Sequence, residues 1–211
     1  MLAEKTTILA CKESETPQSH ASLLTQFIND VLAQAGYSLK DIDAIAVSSG
    51  PGSYTGIRIG MATAKGLCYG LQCPLIKIST LQALANGLKK QLPHSLDHTY
   101  LVPMLDARRM EVFTAVFNKD LETIQAPHPK VVDAPVFREY AEKKLCYFGN
   151  GAKKCSAFFE KTKDVFVEDI QCSAKSMVEL SNHHFQTQQF EHLSTTKADY
   201  FKSFYTKAKL L

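Results

Sequence analysis

Apolar runs alternate with amphipathic, capped stretches through the first hundred residues. Thr6 to Lys12 predicts a strand. Beyond it Leu23, Leu24, Phe27, Ile28, Val31, Leu32 and Ala35 recur at helical spacing, with Ser19 as the N-cap and Gly36 as the stop. Ile42 to Ser48 is almost continuously apolar, as a strand covered on both faces should be, and a helix from about Thr55 to Leu71 follows directly. Pro74 opens another strand, Leu75 to Ile78; Ser79 or Thr80 caps a helix through Leu92; and a hairpin runs from Tyr100 to Phe117. This alternation predicts an α/β fold.

The second half is less periodic. Pro127, Pro129 and Pro135 punctuate a connector before a short strand, Leu145-Cys146-Tyr147-Phe148, which ends in Gly149-Asn150-Gly151 and leads into a helix. Val165 to Val167 reads as a strand, and Ala174 to Phe185 as a helix with Met177, Val178 and Leu180 facing inward. Two lobes are expected, residues 1–93 and 94–211, meeting near Pro93 to Thr99. At the start, Met1-Leu2-Ala3 reads as the end of a strand and Glu4-Lys5 as the turn into the next, so the chain begins in mid-hairpin. A sheet without its first strand has an unpaired edge or a hole at its centre, and the expectation is a truncated or mis-assigned start.

With 211 residues, 45% of them hydrophobic, the chain can bury a real core. It contains no 18-residue apolar run, and Glu4 and Lys5 interrupt the place where a signal peptide would be apolar, which predicts a cytoplasmic protein without a membrane segment. Cys11, Cys68, Cys73, Cys146, Cys155 and Cys172 form no C-x-x-C pair, and most lie in apolar runs, where a free thiol acts as a small hydrophobe. A reducing compartment fits and zinc does not. The net charge of +3 is too small to imply nucleic-acid binding by itself.

Ser48-Ser-Gly-Pro-Gly-Ser-Tyr-Thr-Gly-Ile-Arg-Ile-Gly60 joins an apolar strand to a glycine-studded helix. A P-loop would place lysine after the last glycine of its loop, but Gly56 is followed by Ile57 and Arg58; a dinucleotide fingerprint would be G-x-G-x-x-G, and Gly50, Gly52 and Gly56 are spaced one residue too long. What remains is a helix N-terminus, capped by Ser53 or Thr55, whose free N–H groups can face an anion; Gly50, Gly52, Ser53 and Thr55 are the candidates. Gly52, Gly56, Gly60, Ala64 and Cys68 fall four apart along one side of the helix. Glycine within a helix costs about 1 kcal/mol relative to alanine, so close packing is expected, either on the chain's own sheet or against another helix pair.

Other chemistry is sparser. His94 and His98 are four apart but follow Pro93 in a connector, which favours a solvated pair over a metal site. His183 and His184 read as ordinary helix residues. No serine or cysteine stands in a motif with a base, and no H-E-x-x-H is present, which argues against a peptidase. Asp106, Arg108, Arg109 and Glu111 suit a surface ion-pair turn worth under about 1 kcal/mol. Tyr200, Phe201, Phe204 and Tyr205, interleaved with Lys197, Lys202, Lys207 and Lys209, could stack and neutralise RNA, though a helix packing its aromatic face on the body, or a mobile tail, is the simpler account.

Ser49 to Gly60, Ala64-Lys65-Gly66-Leu67, Met104-Leu-Asp-Ala-Arg108 and Phe148-Gly-Asn-Gly-Ala152, in this order, resemble the TsaB (YeaZ) family from Thr6 to about Ala152. The resemblance implies the two-lobed acetate kinase, sugar kinase, Hsp70 and actin-like fold, each lobe on a β-β-β-α-β-α-β-α plan, with the first strand missing here. It also implies a non-catalytic subunit that organises the catalytic subunit TsaD in threonylcarbamoylation of tRNA adenosine 37, joined by the ATPase TsaE. ATP and metal are then expected on the partners, with tRNA contact indirect. The family's heterodimer packs the first two helices of each partner as a four-helix bundle, which here implies an interface at Leu23, Phe27, Val31, Gly56, Arg58, Gly60, Ala64 and Cys68, and a homodimer when the partner is absent. The alternative is a small-molecule kinase-like ATPase of the same fold.

Overall fold

The structure is a computed structural model that describes residues 1–14, 20–92, 99–132, 140, 142–158 and 164–202. The first half opens with an antiparallel hairpin, β1 (Leu2–Glu4) and β2 (Thr7–Ala10), turning at Lys5 with φ 52°. Helix α1 (His20–Ala35) follows; the proposed cap Ser19 lies outside the described residues. The helix ends as expected: Gly36, at φ 75°, lets the Tyr37 N–H donate to the Leu32 carbonyl at 3.0 Å and its own N–H to Ala33 at 3.2 Å, a Schellman closure. Then come β3 (Ile45–Ser48), α2 (Tyr54–Leu71), β4 (Leu75–Ile78) and α3 (Thr80–Gln91), with β3 and β4 parallel.

The second half is built on a mixed sheet of order β7-β6-β5-β8-β9, from β5 (Thr99–Asp106), β6 (Glu111–Phe117), β7 (Thr123–Val131), β8 (Lys144–Phe148) and β9 (Val165–Val167). Its centre is fully buried, with Leu101, Val102 and Met104 at 0% exposure. The proline-punctuated connector is thus a strand as far as Val131, a correction with a simple cause. β7 pairs with β6 alone, so Pro127 and Pro129 sit on a sheet edge, where a missing N–H breaks no ladder. The helix expected after Gly151 is a 3-10 segment, Lys153–Phe158, and the predicted Ala174–Phe185 helix begins as a 3-10 turn, Ala174–Met177, before α4 (Val178–Gln186).

Packing does not divide at residue 93. Helix α3 buries Leu81, Leu84, Ala85 and Leu88 against Leu101, Ala115, Phe117, Cys146 and Phe148, in the core of the second sheet. Met177 in turn packs with Ile76 and Ile78 of β4. The suggested meeting of lobes at residues 93–98 lies outside the described residues, as does the His94/His98 pair. Cys68, Cys73 and Cys146 are buried free thiols, the small hydrophobes expected, and burial pushes Cys68 and Cys146 up to about 12. No helix among the described residues is long and apolar enough to cross a membrane.

Candidate functional site

β3 delivers the chain into the glycine loop, and α2 leaves it. Ser53 caps α2, its Oγ accepting from the Gly56 N–H at 3.3 Å while its carbonyl accepts from Ile57 at 2.9 Å. The Gly50–Pro51 peptide is cis, and Gly50 has φ 115°. A Cβ there would lie 2.8 Å from the Asp199 carbonyl oxygen, so only glycine fits.

That contact exposes what the local sequence concealed. The Thr196–Lys202 segment lies along one side of the loop as a strap. Asp199 donates its N–H to the Ser49 carbonyl at 2.8 Å, and its carboxylate accepts from Ser49 Oγ at 2.7 Å and from Lys77 Nζ at 2.9 Å. Lys65 Nζ donates to the Thr196 carbonyl at 3.3 Å, Tyr200 lies against Tyr54 with centroids 5.3 Å apart, and Lys202 pairs with Glu111. Tyr200 and Phe201 therefore do not continue a helix; the predicted aromatic helix is an extended strap through Lys202, and residues 203–211 lie outside the described residues.

The loop also lines a cleft of about 700 Å³. Leu23 and Phe27 of α1, Gly52 and Ser53 of the loop, and Gly56 and Gly60 of α2 line it, with Leu105 and Asn150 from the second half. Lys12 stands at its edge, its Nζ 5.9 Å from the Phe27 ring centroid and 3.2 Å from the Asp30 carboxylate. Two motifs separated in sequence meet here. The Asn150 side-chain oxygen accepts from the Asp106 N–H at 3.0 Å, and Lys154 Nζ reaches Asp106 Oδ1 at 2.6 Å, holding that carboxyl below its ordinary range chiefly through this hydrogen bond. A Cβ on Gly149 (φ 94°) would lie 2.5 Å from the Met104 carbonyl oxygen, and one on Gly151 2.8 Å from the Leu105 carbonyl carbon, so these glycines permit the close approach of β5 and β8 ends. The local ion-pair turn expected of Asp106, Arg108, Arg109 and Glu111 is corrected: Asp106 takes the Arg108 backbone N–H, and the cations paired with Asp106 and Glu111 are the distant Lys154 and Lys202.

The residues singled out from sequence divide accordingly. Leu23, Phe27, Gly52, Ser53, Gly56 and Gly60 share the cleft. Thr55 and Arg58 are exposed, with the Arg58 guanidinium 4.7 Å from the Tyr54 ring, and Gly50 is covered by Asp199. Val31, Ala64 and Cys68 must be withdrawn from any docking face. They are 4%, 5% and 1% exposed, and the four-residue period of α2 turns Ala64 and Cys68 onto Val47, Cys73 and Leu75. Gly60 also looks toward β3, where a Cβ would meet Val47 Cγ2 at an ordinary 3.7 Å, and Gly66 and Gly70 have open space around them. Ala64 and Cys68 thus seat α2 on its own sheet, while Gly52, Gly56 and Gly60 line the cleft. Asp199, Lys77 and Lys154 were missed; their partners lie 150, 122 and 48 residues away, and no local pattern announces such pairs. A second hollow of about 560 Å³, near Thr99, Asn118 and Lys144, involves none of the motif residues, so the cleft at the loop is the one they mark. Among the described residues, no group of three or more His, Cys, Asp and Glu side chains is placed to hold a metal.

The match to the TsaD family model and to solved structures assigns this mixed α/β chain, with its glycine loop opening on a cleft, to the actin-like ATPase and kinase fold. A solved structure from Pseudomonas aeruginosa, described as similar to peptidase YEAZ, shares that fold with a TM-score of 0.75 at 21% identity, over 88% of this chain and 86% of that one. The profile of TsaD, tRNA N6-adenosine threonylcarbamoyltransferase, matches residues 13–210, and the chain belongs to that family. Within it the chain is similar to the tRNA threonylcarbamoyladenosine biosynthesis protein TsaB of Escherichia coli, 38% identical over 104 residues, and to TsaB of Bacillus subtilis, 32% identical over 117. Those matches cover 49% and 55% of this chain and 43% and 48% of the relatives, so the chain spans under half the length of the curated proteins it matches.

Proposed function

We propose that this chain is a non-catalytic subunit in the biosynthesis of threonylcarbamoyladenosine on tRNA, docking a TsaD-type catalytic subunit on the cleft side of α1 and the start of α2. The observation that carries this reading is the cleft wall itself: Leu23 and Phe27, half-buried at helical spacing on α1, stand beside the side-chain-free Gly56 and Gly60 of α2. An apolar ridge next to a bare backbone suits the close approach of a partner helix. In this scheme a TsaE-type ATPase joins the assembly in the cytoplasm, ATP and metal belong to the partners, tRNA is reached through them, and without a partner the same face closes a homodimer.

Co-expression with the TsaD-type protein of the same organism tests the docking. Wild type and Gly66→Ala, a change on open helix surface, are expected to co-purify with it, whereas Leu23→Asp and Phe27→Asp should reduce recovery at least tenfold, about 1.4 kcal/mol or more. Equal recovery of all four would remove this face from the interface. Calorimetry with magnesium ATP separates the kinase-like alternative, since micromolar binding with turnover by the isolated chain contradicts a non-catalytic role.

A further inference from the structure

The strap Thr196–Lys202 gathers cations around the glycine loop. Lys65 donates to its Thr196 carbonyl and Lys77 to its Asp199 carboxylate, while its own Lys202 pairs with Glu111, next to the turn where Lys154 meets Asp106. Four more cations in the same segments, Arg58, Arg108, Arg109 and Lys197, are exposed and make no ion pair among the described residues. Together these are eight cations against four carboxylates, Asp106, Glu111, Asp199 and the Glu191 that accepts from Thr196 Oγ1. The excess of four is more than the +3 of the whole chain, so the net positive charge of the protein lies on this surface.

The aromatic residues are a second, independent feature. Tyr200 is 48% exposed and lies against Tyr54, with the ring centroids 5.3 Å apart, and the Arg58 guanidinium stands 4.7 Å from the Tyr54 centroid. An open ring beside a planar guanidinium, set among cations, offers π-faces to bases and charge to phosphates. An acidic protein would use the charge and leave the open tyrosine without a purpose. Tyr54, Arg58, Arg109, Lys197 and Tyr200 do not line the cleft, so this surface is separate from the docking wall of Leu23 and Phe27.

We infer that the strap, the first turn of α2 and the β5–β6 turn together bind a single-stranded segment of RNA, with a base stacked at Tyr200 and phosphates beside Arg58, Arg108, Arg109 and Lys197. The inference deepens the proposed function and rests on it for which RNA is held, a tRNA. The partner presents the nucleotide that reacts, and this surface adds a direct grip on the RNA that carries it.

Fluorescence anisotropy of the full chain with a labelled single-stranded RNA of about ten nucleotides tests this. Wild type should bind, with an affinity that falls as salt rises. At fixed salt, Arg109→Glu and Tyr200→Ala should each weaken binding by about fivefold or more. Tyr69→Ala, a change to a 75% exposed ring at the far end of α2, should leave it unaltered. No binding by wild type, or equal binding by Arg109→Glu, overturns the inference. So does equal binding by Tyr200→Ala together with displacement of the RNA by poly-L-glutamate, which marks a surface for acidic proteins. Leu23→Asp should bind the RNA as wild type does whether or not it still docks the TsaD-type protein, so the two proposals fail separately; loss of RNA binding in Leu23→Asp would put the RNA in the cleft and overturn this one.

Discussion

At the scale of single residues, the glycines of this chain look alike in sequence and differ in what surrounds them. Gly66 lies inside α2 with no heavy atom within 4 Å of the place a Cβ would take, so Gly66→Ala should gain about 0.5–1 kcal/mol from helix propensity, raising the urea midpoint. Gly149 combines φ 94° with a carbonyl oxygen 2.5 Å from the same position, and Gly149→Ala should cost about 3 kcal/mol or more and pull apart the β5–β8 junction. A gain in stability at Gly149 would contradict the close approach described for it. Asp199 belongs to the same scale. Its carboxylate serves Ser49 and Lys77 while about a third exposed, so Asp199→Ala should cost about 1 kcal/mol and lower Tm by roughly 2–4 °C.

Among elements, α2 carries two duties on two faces. Its inward stripe of Ala64 and Cys68 closes the core with Val47 and Leu75, and its first turn, capped by Ser53, opens on the cleft. The interface residues inferred from resemblance mix these faces, because helical spacing alone does not say which side meets the sheet. Gly60 shows why the distinction matters for experiment. A Cβ there already touches Val47 at an ordinary 3.7 Å, so the larger side chain of Gly60→Leu must find room beside β3 and a loss of partner binding would not distinguish a blocked interface from a shifted β3, whereas Leu23 and Phe27 change the cleft wall from the α1 side.

For the whole molecule, polar links tie the first half to the second. Glu13, just past β2, accepts from Ser173 Oγ at 2.5 Å and lies 3.1 Å from Lys175 Nζ. The Ser173 hydrogen bond, more than the charge of Lys175, holds the Glu13 carboxyl below its ordinary range. The unfolded chain then binds the proton more readily, so this link stabilises the protein above the ordinary carboxylate range and is lost as pH falls through the folded pKa. With its side chain 43% exposed, the contribution is under about 1 kcal/mol. Urea titrations of Glu13→Gln and wild type should differ at about pH 7 and converge at about pH 3; a difference that persists in acid would assign the loss to packing.

Much of this protein is written locally. The period of the apolar positions locates α1, α2 and α3, Gly36 marks a helix end, and Pro74 marks the start of β4, because hydrogen-bonding geometry and backbone conformation act over a few residues. The motif segments also stand out in the sequence alone, and so does the turn at Glu4–Lys5 between β1 and β2. What only the tertiary structure decided depends on distant neighbours. Pro127 and Pro129 became strand residues because β7 is an edge; Val31, Ala64 and Cys68 left the docking face because a sheet covers them; and Gly50 is irreplaceable because Asp199, far along the chain, closes on it. Local pattern specifies the elements, and burial and long-range pairing decide which of their faces remain free to act.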